Sequence, residues 1–299
     1  MRARRLLQAV CLAAVGAASA CNQAPLPSDS TADGQSVELR LVTLSPHLAE
    51  LVVTAGALDK LVGVSAYSDF PEDVRALPRV GDAFLVDLEA LALLEPDVVL
   101  AWESGTPAST VENLRQQGHR VEVLRTQRLA DVATALETIG RLTGTEASAD
   151  AAARRFLADI DRLGQAFDRR ADVRVFYQIS TRPVYTVNEA HFVSELITLC
   201  GGENIFSDLD ELAPLVSEES VLARDPEAII AGGVPGDTAG DDPFSEWRRW
   251  ETLAANRYGN FFTIDADLLA RATTRLVHAG RSICEALDAA RVRRDGQVR

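Results

Sequence analysis

The residues best suited to hold a small ligand follow the apolar runs that we predict to be β-strands. Trp102 ends one such run, Tyr67 lies in the loop after another, and His47 follows the first of them. Ligands of open α/β sheets bind beyond the carboxyl ends of the strands, and large flat ligands favour aromatic rings. The sequence therefore predicts a pocket that Tyr67 and Trp102 line. Half-buried aromatic side chains with no ligand, and a His47 that contacts solvent, are the alternative interpretations.

The sequence carries no recognisable catalytic motif. It has no phosphate-binding glycine loop, no Gly-x-Ser-x-Gly, no His-Glu-x-x-His and no Cys-x-x-Cys. The histidines His47, His119, His191 and His278 are scattered, and none has a metal-ligand spacing from another histidine or a cysteine. We therefore expect a protein without catalytic residues, a bound metal or a cofactor. An exported hydrolase is the alternative, and it would need a reactive residue that no motif reveals.

The charge balance of the chain limits its partners. The 299 residues carry a formal net charge of -14 at pH 7. An acidic surface repels both nucleic acid and anionic lipid. Hydrophobic residues make up 47% of the chain, enough for a sizeable core, and the length leaves room for two lobes. We expect a monomeric protein that does not bind nucleic acid.

The first twenty residues are typical of an export signal. Arginines near the start precede an apolar run from Leu6 to Ala18, and the small-residue sequence Ala18-Ser-Ala20 follows. The run is shorter than the roughly 20 residues that a membrane-spanning helix needs. We therefore expect residues 1–20 to be removed as a signal peptide, which makes the mature protein an exported, periplasmic one.

Cys21 directly follows this site, as the acylated cysteine does in a bacterial lipobox. Residues 21–37 are rich in Pro, Ser, Asp and Gly and predict a flexible tether that begins at this lipid-anchor cysteine. The anchor would be the protein's only contact with a membrane. Ala18 stands where a lipobox usually has leucine, so ordinary cleavage after Ala20 is the alternative.

Three cysteines remain in the mature chain: Cys21, Cys200 and Cys284. An odd number in an oxidising compartment leaves one of them apart. If Cys21 is acylated, Cys200 and Cys284 are free to form a disulfide with each other. Two buried free thiols are the alternative.

Apolar runs alternate with helical patterns along the rest of the chain, which predicts an α/β fold with parallel strands. The predicted strands are residues 37–44, 61–64, 98–102, 121–124, 173–179, 228–231 and 261–264, with a closing helix at 270–290.

Residues 146–169 differ from the segments around them. They contain no proline, and the apolar residues Phe156, Ile160, Leu163 and Phe167 follow one another at spacings of four, three and four. This period is typical of a long amphipathic helix. We expect the helix to join an N-terminal lobe, residues 38–145, to a C-terminal lobe, residues 170–299.

An internal repeat indicates that the two lobes are related. Residues 89–101 align without gaps on residues 219–231, each a helix, a turn marked by proline and a strand. A second pair, 50–56 and 195–201, is in both cases an acidic residue that opens an apolar helix ending at glycine. Chance similarity between such units is the alternative.

The first pair puts Glu89 and Glu219 at equivalent places near helix starts. Two matched carboxylates could hold matched basic groups on a partner, or they could simply stabilise the helix N-termini.

Four segments resemble the cobalamin-binding protein family of the class III periplasmic binding proteins. They are Thr43-Leu-Ser-Pro46 with Glu50-Leu51, residues 62–69, residues 88–102 and residues 200–206. The resemblance runs from about residue 38 to about residue 290. It implies the helical-backbone metal receptor type of α/β fold, with two Rossmann-like lobes joined by a single long backbone helix and a corrinoid held between them.

The resemblance also implies roles for individual residues. Ligand contacts fall on Tyr67 and Trp102, and on the loop of Asp267, Leu268, Leu269, Ala270 and Arg271. We expect Phe84 to pack on the ligand together with Tyr67 and Trp102. Glu89 and Glu219 fall on two glutamates that dock onto arginines of the permease dimer of an ABC importer, which an ATPase drives. Cys200 and Cys284 match a disulfide-bonded pair, and no protein ligand to the cobalt is required.

The chain departs from the best-known member of that family at three positions. Ala83, Ala213 and Leu268 stand where that member has tryptophans, so we expect a less aromatic pocket. Such a pocket could hold cobalamin with different contacts, prefer another corrinoid such as cobinamide, or bind a haem or a ferric siderophore. An interaction lipoprotein with no small ligand is an alternative of a different class.

Overall fold

Two parallel β-sheets organise the chain in the computed structural model, which describes residues 39–82, 85–167, 170–234 and 242–297. The first sheet has the strand order β2-β1-β3-β4, and all its strand pairs are parallel. Its strands are β1 (Leu41–Thr43), β2 (Leu61–Gly63), β3 (Val98–Trp102) and β4 (Val121–Leu124).

The second sheet repeats this arrangement with the order β10-β9-β5-β8, again parallel throughout. Its strands are β5 (Val173–Gln178), β8 (Gly202–Asn204), β9 (Ala228–Gly233) and β10 (Phe261–Asp265), and a small antiparallel hairpin of β6 (Ser180–Thr181) and β7 (Val184–Tyr185) follows β5. In each sheet the first strand lies between the second and the third, and the fourth lies beyond the third. The equal strand order supports the relation that the internal repeat predicts.

Helices cover both sheets, as a parallel sheet with crossover connections requires. The helices of the first half are α1 (Pro46–Thr54), α2 (Leu88–Leu93), α3 (Ala108–Gln116) and α4 (Leu129–Thr143). The later helices are α5 (Glu146–Phe167), α6 (Phe192–Leu199), α7 (Glu218–Arg224), α8 (Ser245–Arg248), α9 (Ala254–Tyr258), α10 (Ala266–Ala270) and α11 (Leu276–Gln297). Short 3-10 turns occupy Leu58–Lys60 and Glu72–Ala76.

Helix α5 joins the two halves, which we call the N-terminal lobe (β1–β4 with α1–α4) and the C-terminal lobe (β5–β10 with α6–α11). It begins at Glu146, as predicted, and its apolar side chains Phe156, Ile160 and Leu163 are buried. It contacts α1 and α4 of the N-terminal lobe and α6 and α11 of the C-terminal lobe. One hydrophobic core continues from the first sheet's helices through α5 to the second sheet. Both lobes are therefore packed on the same helix.

The predicted strands agree closely with the observed ones, but the predicted closing helix does not. Strands β3 and β4 have the predicted bounds, whereas α10 ends at Ala270 and α11 begins only at Leu276. The prediction of one helix over 270–290 is wrong because residues 271–275 leave the helix. Arg271 and Arg275 turn there toward Glu50 of the other lobe.

In the described ranges, no helix has both the length and the apolar character that a transmembrane helix requires.

Candidate functional site

The residues predicted to hold a ligand lie beyond the carboxyl ends of strands in both lobes. His47, Tyr67 and Trp102 follow or end β1, β2 and β3, and residues 267–271 follow β10. Arg271 links these strand ends across the lobes: it donates to the main-chain carbonyl of Tyr67 at 3.3 Å and to the carboxylate of Asp69 at 2.7 Å. Residues of the two lobes therefore meet at these strand ends, and we call this boundary between the lobes the cleft.

Tyr67 projects from this cleft with an unusual backbone. Its φ of 63° lies in the left-handed region, which is uncommon for a bulky residue, and its side chain is 80% exposed. The loop is held by the hydrogen bond between the Ser65 and Ser68 hydroxyls and by the Ala66 N–H, which donates to Gly81. Backbone strain of this kind clusters at functional sites. A large ring in solvent, fixed on a strained loop, is suited to cover a ligand.

Trp102 is held from several sides. The His47 ring meets the indole edge to face, with centroids 5.0 Å apart. A Cβ added at Gly105 would lie 1.9 Å from the indole, so only glycine allows this close approach. The Thr106 hydroxyl accepts the main-chain N–H of Trp102 at 3.0 Å. The indole N–H is buried and has no hydrogen-bond partner among the described residues.

His47 does not contact solvent, contrary to the more ordinary interpretation of its position. It is 4% exposed and shares hydrogen bonds with the Ser45 hydroxyl at 3.1 Å and the Thr126 hydroxyl at 3.3 Å. Burial, followed by the positive charge of Arg271, lowers the pKa of His47 to about 3. The imidazole is therefore neutral near pH 7 and supports Trp102 from behind.

Residues 267–270, expected from the resemblance to lie in a loop, belong to helix α10, and Arg271 follows its end. Asp267 and Ala270 are exposed, Leu268 is half-buried and Leu269 is 2% exposed within the core. Asp265 caps α10 by accepting the Asp267 N–H at 2.9 Å. Asp267 and Ala270 are therefore open to solvent, whereas Leu269 fixes α10 to the core.

Arg271 is surrounded by carboxylates. Its guanidinium lies 3.0 Å from Glu50, 2.7 Å from Asp69 and 3.1 Å from Asp267. Burial alone would lower the pKa of Arg271, but hydrogen bonds to Asp69 and Glu50 raise it above its ordinary value. Burial would likewise raise the pKa of Asp69, and the bond from Arg271 lowers it instead. Most of the guanidinium is thus engaged within the protein.

Arg275 completes the group. It donates to both oxygens of Glu50, at 2.9 and 2.7 Å, and its guanidinium lies over the Phe70 ring, 4.3 Å from the centroid. Sequence reasoning noticed Glu50 only as a residue that opens a helix, whereas it lies in the second turn of α1 and is 2% exposed. The missed signal was an isolated acidic residue in an otherwise apolar helix, because such a buried charge requires a partner.

Glu89 and Glu219 lie near the starts of α2 and α7, at equivalent places in the two lobes, and both are exposed. Asp87 caps α2 by accepting the Glu89 N–H, and Ser217 caps α7 by accepting the Ser220 N–H. Backbone and Ser217 hydrogen bonds lower the pKa of Glu219. The caps leave both glutamate carboxylates facing outward.

The remaining predicted residues are the two paired cysteines, Ala213 and several residues outside the described part. Cys200 at the end of α6 and Cys284 in α11 form a disulfide with Cα atoms 4.8 Å apart. Ala213 is exposed. The signal segment, Cys21, the tether, Ala83 and Phe84 lie outside the described residues.

A groove of about 670 Å³ runs between α5 and α11, but it is not the predicted ligand site. Arg155, Arg162, His278 and Arg281 are among its lining residues, whereas Tyr67, Trp102 and Asp267 are not. Within the part of the chain that the structure describes, no three His, Cys, Asp or Glu side chains converge on a place that could hold a metal ion.

The chain belongs to the periplasmic binding protein family, whose model matches residues 41–268. It is 32% identical over 274 residues to the vitamin B12-binding protein of Vibrio campbellii, covering 92% of this chain and 98% of that one.

Solved structures show the same relation. The periplasmic vitamin B12 binding protein BtuF of Vibrio cholerae superposes with a TM-score of 0.75 at 32% identity, covering 84% of this chain and 97% of BtuF. The periplasmic haem binding protein HutB of Vibrio cholerae shares the fold, with a TM-score of 0.71 at 22% identity over 84% of this chain and 99% of that one. The predicted family and the two-lobed α/β fold are confirmed.

Proposed function

We propose that the protein captures cobalamin or a related corrinoid in the cleft between its lobes and delivers it to an ABC importer. The observation that carries the proposal is the hydrogen bond from Arg271, at the end of α10, to the loop of exposed Tyr67 in the other lobe, close to the His47 ring that packs on Trp102. The names of the relatives that are 32% identical over most of the chain support the same ligand class.

In this proposal the protein binds its ligand without catalysis and works as a monomer. Tyr67, Trp102 and Phe84 pack on the macrocycle, whose large apolar faces suit aromatic rings. Asp267 meets the amide side groups of the corrinoid, while Leu268 and Ala270 contribute apolar surface beside it. Arg271 is engaged by Glu50, Asp69 and Asp267 and therefore acts mainly by holding Asp267 and the Tyr67 loop in place. The protein supplies no ligand to the cobalt and needs no cofactor of its own.

Delivery would use the exposed starts of α2 and α7, one on each lobe. Glu89 and Glu219 would pair with basic residues of the permease dimer, which works with its ATPase. Acylated Cys21 would keep the periplasmic protein near a membrane through its tether. Matched charges on two related lobes would set the orientation of docking more than its strength.

Calorimetric titration of the mature chain, residues 22–299, with cyanocobalamin, cobinamide and haemin tests the proposal. We expect one-to-one binding of a corrinoid, weakened at least about tenfold by Tyr67→Ala or Trp102→Ala, because each removes an aromatic contact worth more than about 1.4 kcal/mol. Tyr258→Ala is the matched control, since Tyr258 lies at the end of α9, before the amino end of β10.

Haem or a ferric siderophore is the second candidate ligand. The exposed phenol of Tyr67 favours it, because tyrosine oxygen can ligate haem iron. Binding of haemin alone, with a shifted haem absorption band that Tyr67→Phe abolishes, would move the protein to iron uptake. No heat from any of the three ligands would contradict the proposed ligand class and favour a lipoprotein that binds only proteins.

A further inference from the structure

Two glutamates reach from one lobe to the other. The Glu50 latch consists of Glu50 in α1 of the N-terminal lobe and of Arg271 and Arg275 in the C-terminal lobe. One Glu50 oxygen lies 3.0 Å from Arg271 and 2.7 Å from Arg275, and the other accepts the Arg275 Nε–H at 2.9 Å. Both oxygens of the carboxylate are therefore used across the cleft.

The Glu195 latch consists of Glu195 in the C-terminal lobe and of Arg128 and Leu129 in the N-terminal lobe. Glu195 lies in α6 of the C-terminal lobe and accepts a hydrogen bond from the Arg128 side chain at 2.9 Å. Its second oxygen accepts the main-chain N–H of Leu129 at 2.9 Å. This N–H belongs to the first turn of α4 and has no acceptor within its own helix, so a carboxylate of the other lobe completes the helix start.

The two latches are related by the internal repeat. Glu50 and Glu195 lie six residues before the glycines that follow α1 and α6, Gly56 and Gly201. Each glutamate accepts from residues that follow the fourth strand of the other lobe: from Arg128 and the first residue of α4 for Glu195, and from Arg271 and Arg275, between α10 and α11, for Glu50. Glu50 and Glu195 thus occupy equivalent positions, and each accepts hydrogen bonds from the other lobe. This equivalence indicates that both glutamates have the same structural role.

The Glu50 latch also holds the loop that carries Tyr67. Arg271 donates hydrogen bonds to the Tyr67 carbonyl and the Asp69 carboxylate, and the Arg275 guanidinium packs over the Phe70 ring. We propose that Glu50 and Glu195 are positioning residues: they fix the spacing of the two lobes, and Glu50, through Arg271 and Arg275, holds the Tyr67 loop ready for ligand. The part of this inference that concerns ligand rests on the proposed function.

Burial predicts unequal contributions from the two latches. The Glu50 side chain is 2% exposed and that of Arg271 10%, whereas the Glu195 and Arg128 side chains are 23% and 47% exposed. Loss of one partner is costly in a buried pair and small in an exposed one. The Glu50 latch is therefore the stronger one, and the Glu195 latch is the one that salt weakens.

Hydrogen exchange of the ligand-free mature chain tests the latches without any ligand. Glu50→Gln should speed amide exchange in residues 64–76 at least about tenfold, because the loop loses its restraint. Glu195→Gln should instead speed amide exchange in residues 127–131. Glu137→Gln is the matched control, since Glu137 is an exposed glutamate of α4. Unchanged exchange in both segments would overturn the inference.

Because Glu50→Gln could unfold the protein, Arg275→Lys provides a second variant. It keeps the charge but cannot reproduce the two-pronged contact with Glu50. It should speed exchange in residues 64–76 without changing the exchange of β5 and β9 in the core.

Titration with cyanocobalamin tests the positioning role. Glu50→Gln should raise the dissociation constant about tenfold in the native chain and less than about twofold in the Tyr67→Ala chain, because it acts through the Tyr67 loop. Equal losses in both backgrounds would overturn that role. If cyanocobalamin does not bind the native chain while Glu50→Gln still loosens the loop, the proposed function fails and the latch stands.

Discussion

At the scale of single residues, the contacts around Trp102 would prepare its indole for the ligand contact that we propose. An indole that turned freely would lose entropy when a ligand fixed it. The indole packs against the neutral His47 ring and closely against Gly105, which has no side chain. Both contacts restrict its rotation before a ligand binds. A charged imidazole here would lie beside Arg271 in a buried place, so the arrangement requires the neutral form.

This requirement predicts a pH-dependent stability. The pKa of His47 is about 3 when folded against 6.5 in the unfolded chain, so the unfolded state takes up the proton first as the pH falls below 6.5. Stability from this group is complete above pH 6.5, and by pH 5 about 2 kcal/mol of it should be lost. Denaturant titrations at pH 7 and pH 5 measure the difference.

His47→Gln should remove the part of the stability loss between pH 7 and pH 5 that protonation of His47 causes. His191, whose pKa burial lowers to about 4, contributes in the same direction and remains in the variant, so the pH dependence should shrink and not vanish. The exposed His278 provides the matched control, His278→Gln. An unchanged difference between pH 7 and pH 5 in His47→Gln would contradict the buried neutral state.

The sequence predicted where Tyr67 and Trp102 lie but not how His47 is used. Strand exits follow from apolar runs and their ends, which are local features of the chain. His47 shares a hydrogen bond with Thr126, 79 residues away, and the charge of Arg271 in the other lobe helps to lower its pKa. Such contacts arise only when the lobes are packed together, and no local spacing encodes them.

At the scale of elements, the end of α6 is fixed to α11 by covalent and polar contacts. Cys200 and Cys284 close a long loop, with a sequence separation of 84 residues. Arg291 of α11 donates to the carbonyls of Cys200 and Gly201, both at 2.8 Å. These contacts hold the helix that carries Glu195 on the C-terminal lobe.

The disulfide is predicted to stabilise the mature protein. Replacement of both Cys200 and Cys284 by alanine should lower the free energy of unfolding by about 2 to 4 kcal/mol, because the unfolded chain regains the freedom of a long loop. Denaturant titration with and without a reducing agent measures this. Reduced native protein should match the double variant. Two titratable thiols in native protein unfolded without reducing agent would show that the pair is not bonded.

Sequence patterns predict helix α5 but not the break between α10 and α11. Helix α5 was predictable because its apolar period continues over six turns of a surface helix. The break between α10 and α11 was not, since residues 271–275 contain neither proline nor glycine. The Thr273 hydroxyl accepts the Arg275 N–H and Arg271 accepts the Thr273 N–H, which gives the arginines their turn toward Glu50. Tertiary contacts override the local helical preference there.

At the scale of the whole molecule, the repeat places two glutamates at equivalent positions in each lobe. The glutamates of α1 and α6 face inward to the other lobe, and those of α2 and α7 face outward. An exposed leucine precedes each outward helix: Leu85 is 75% exposed and Leu215 is 60% exposed. Each lobe therefore offers an apolar residue and a carboxylate near the same outer helix, a combination typical of protein contact surfaces.

Reversal of both outward charges should separate ligand binding from delivery. Glu89→Arg with Glu219→Arg should abolish cyanocobalamin uptake by cells that depend on this protein, because like charges would meet on a basic permease surface. The calorimetric dissociation constant should stay within about twofold, since neither residue is among the proposed ligand contacts. Glu137→Arg with Glu251→Arg, one exposed glutamate per lobe, is the control and should support uptake. Normal uptake by the Glu89 and Glu219 variant would leave these glutamates with only a helix-stabilising role, whereas weakened ligand binding would place them in the site itself.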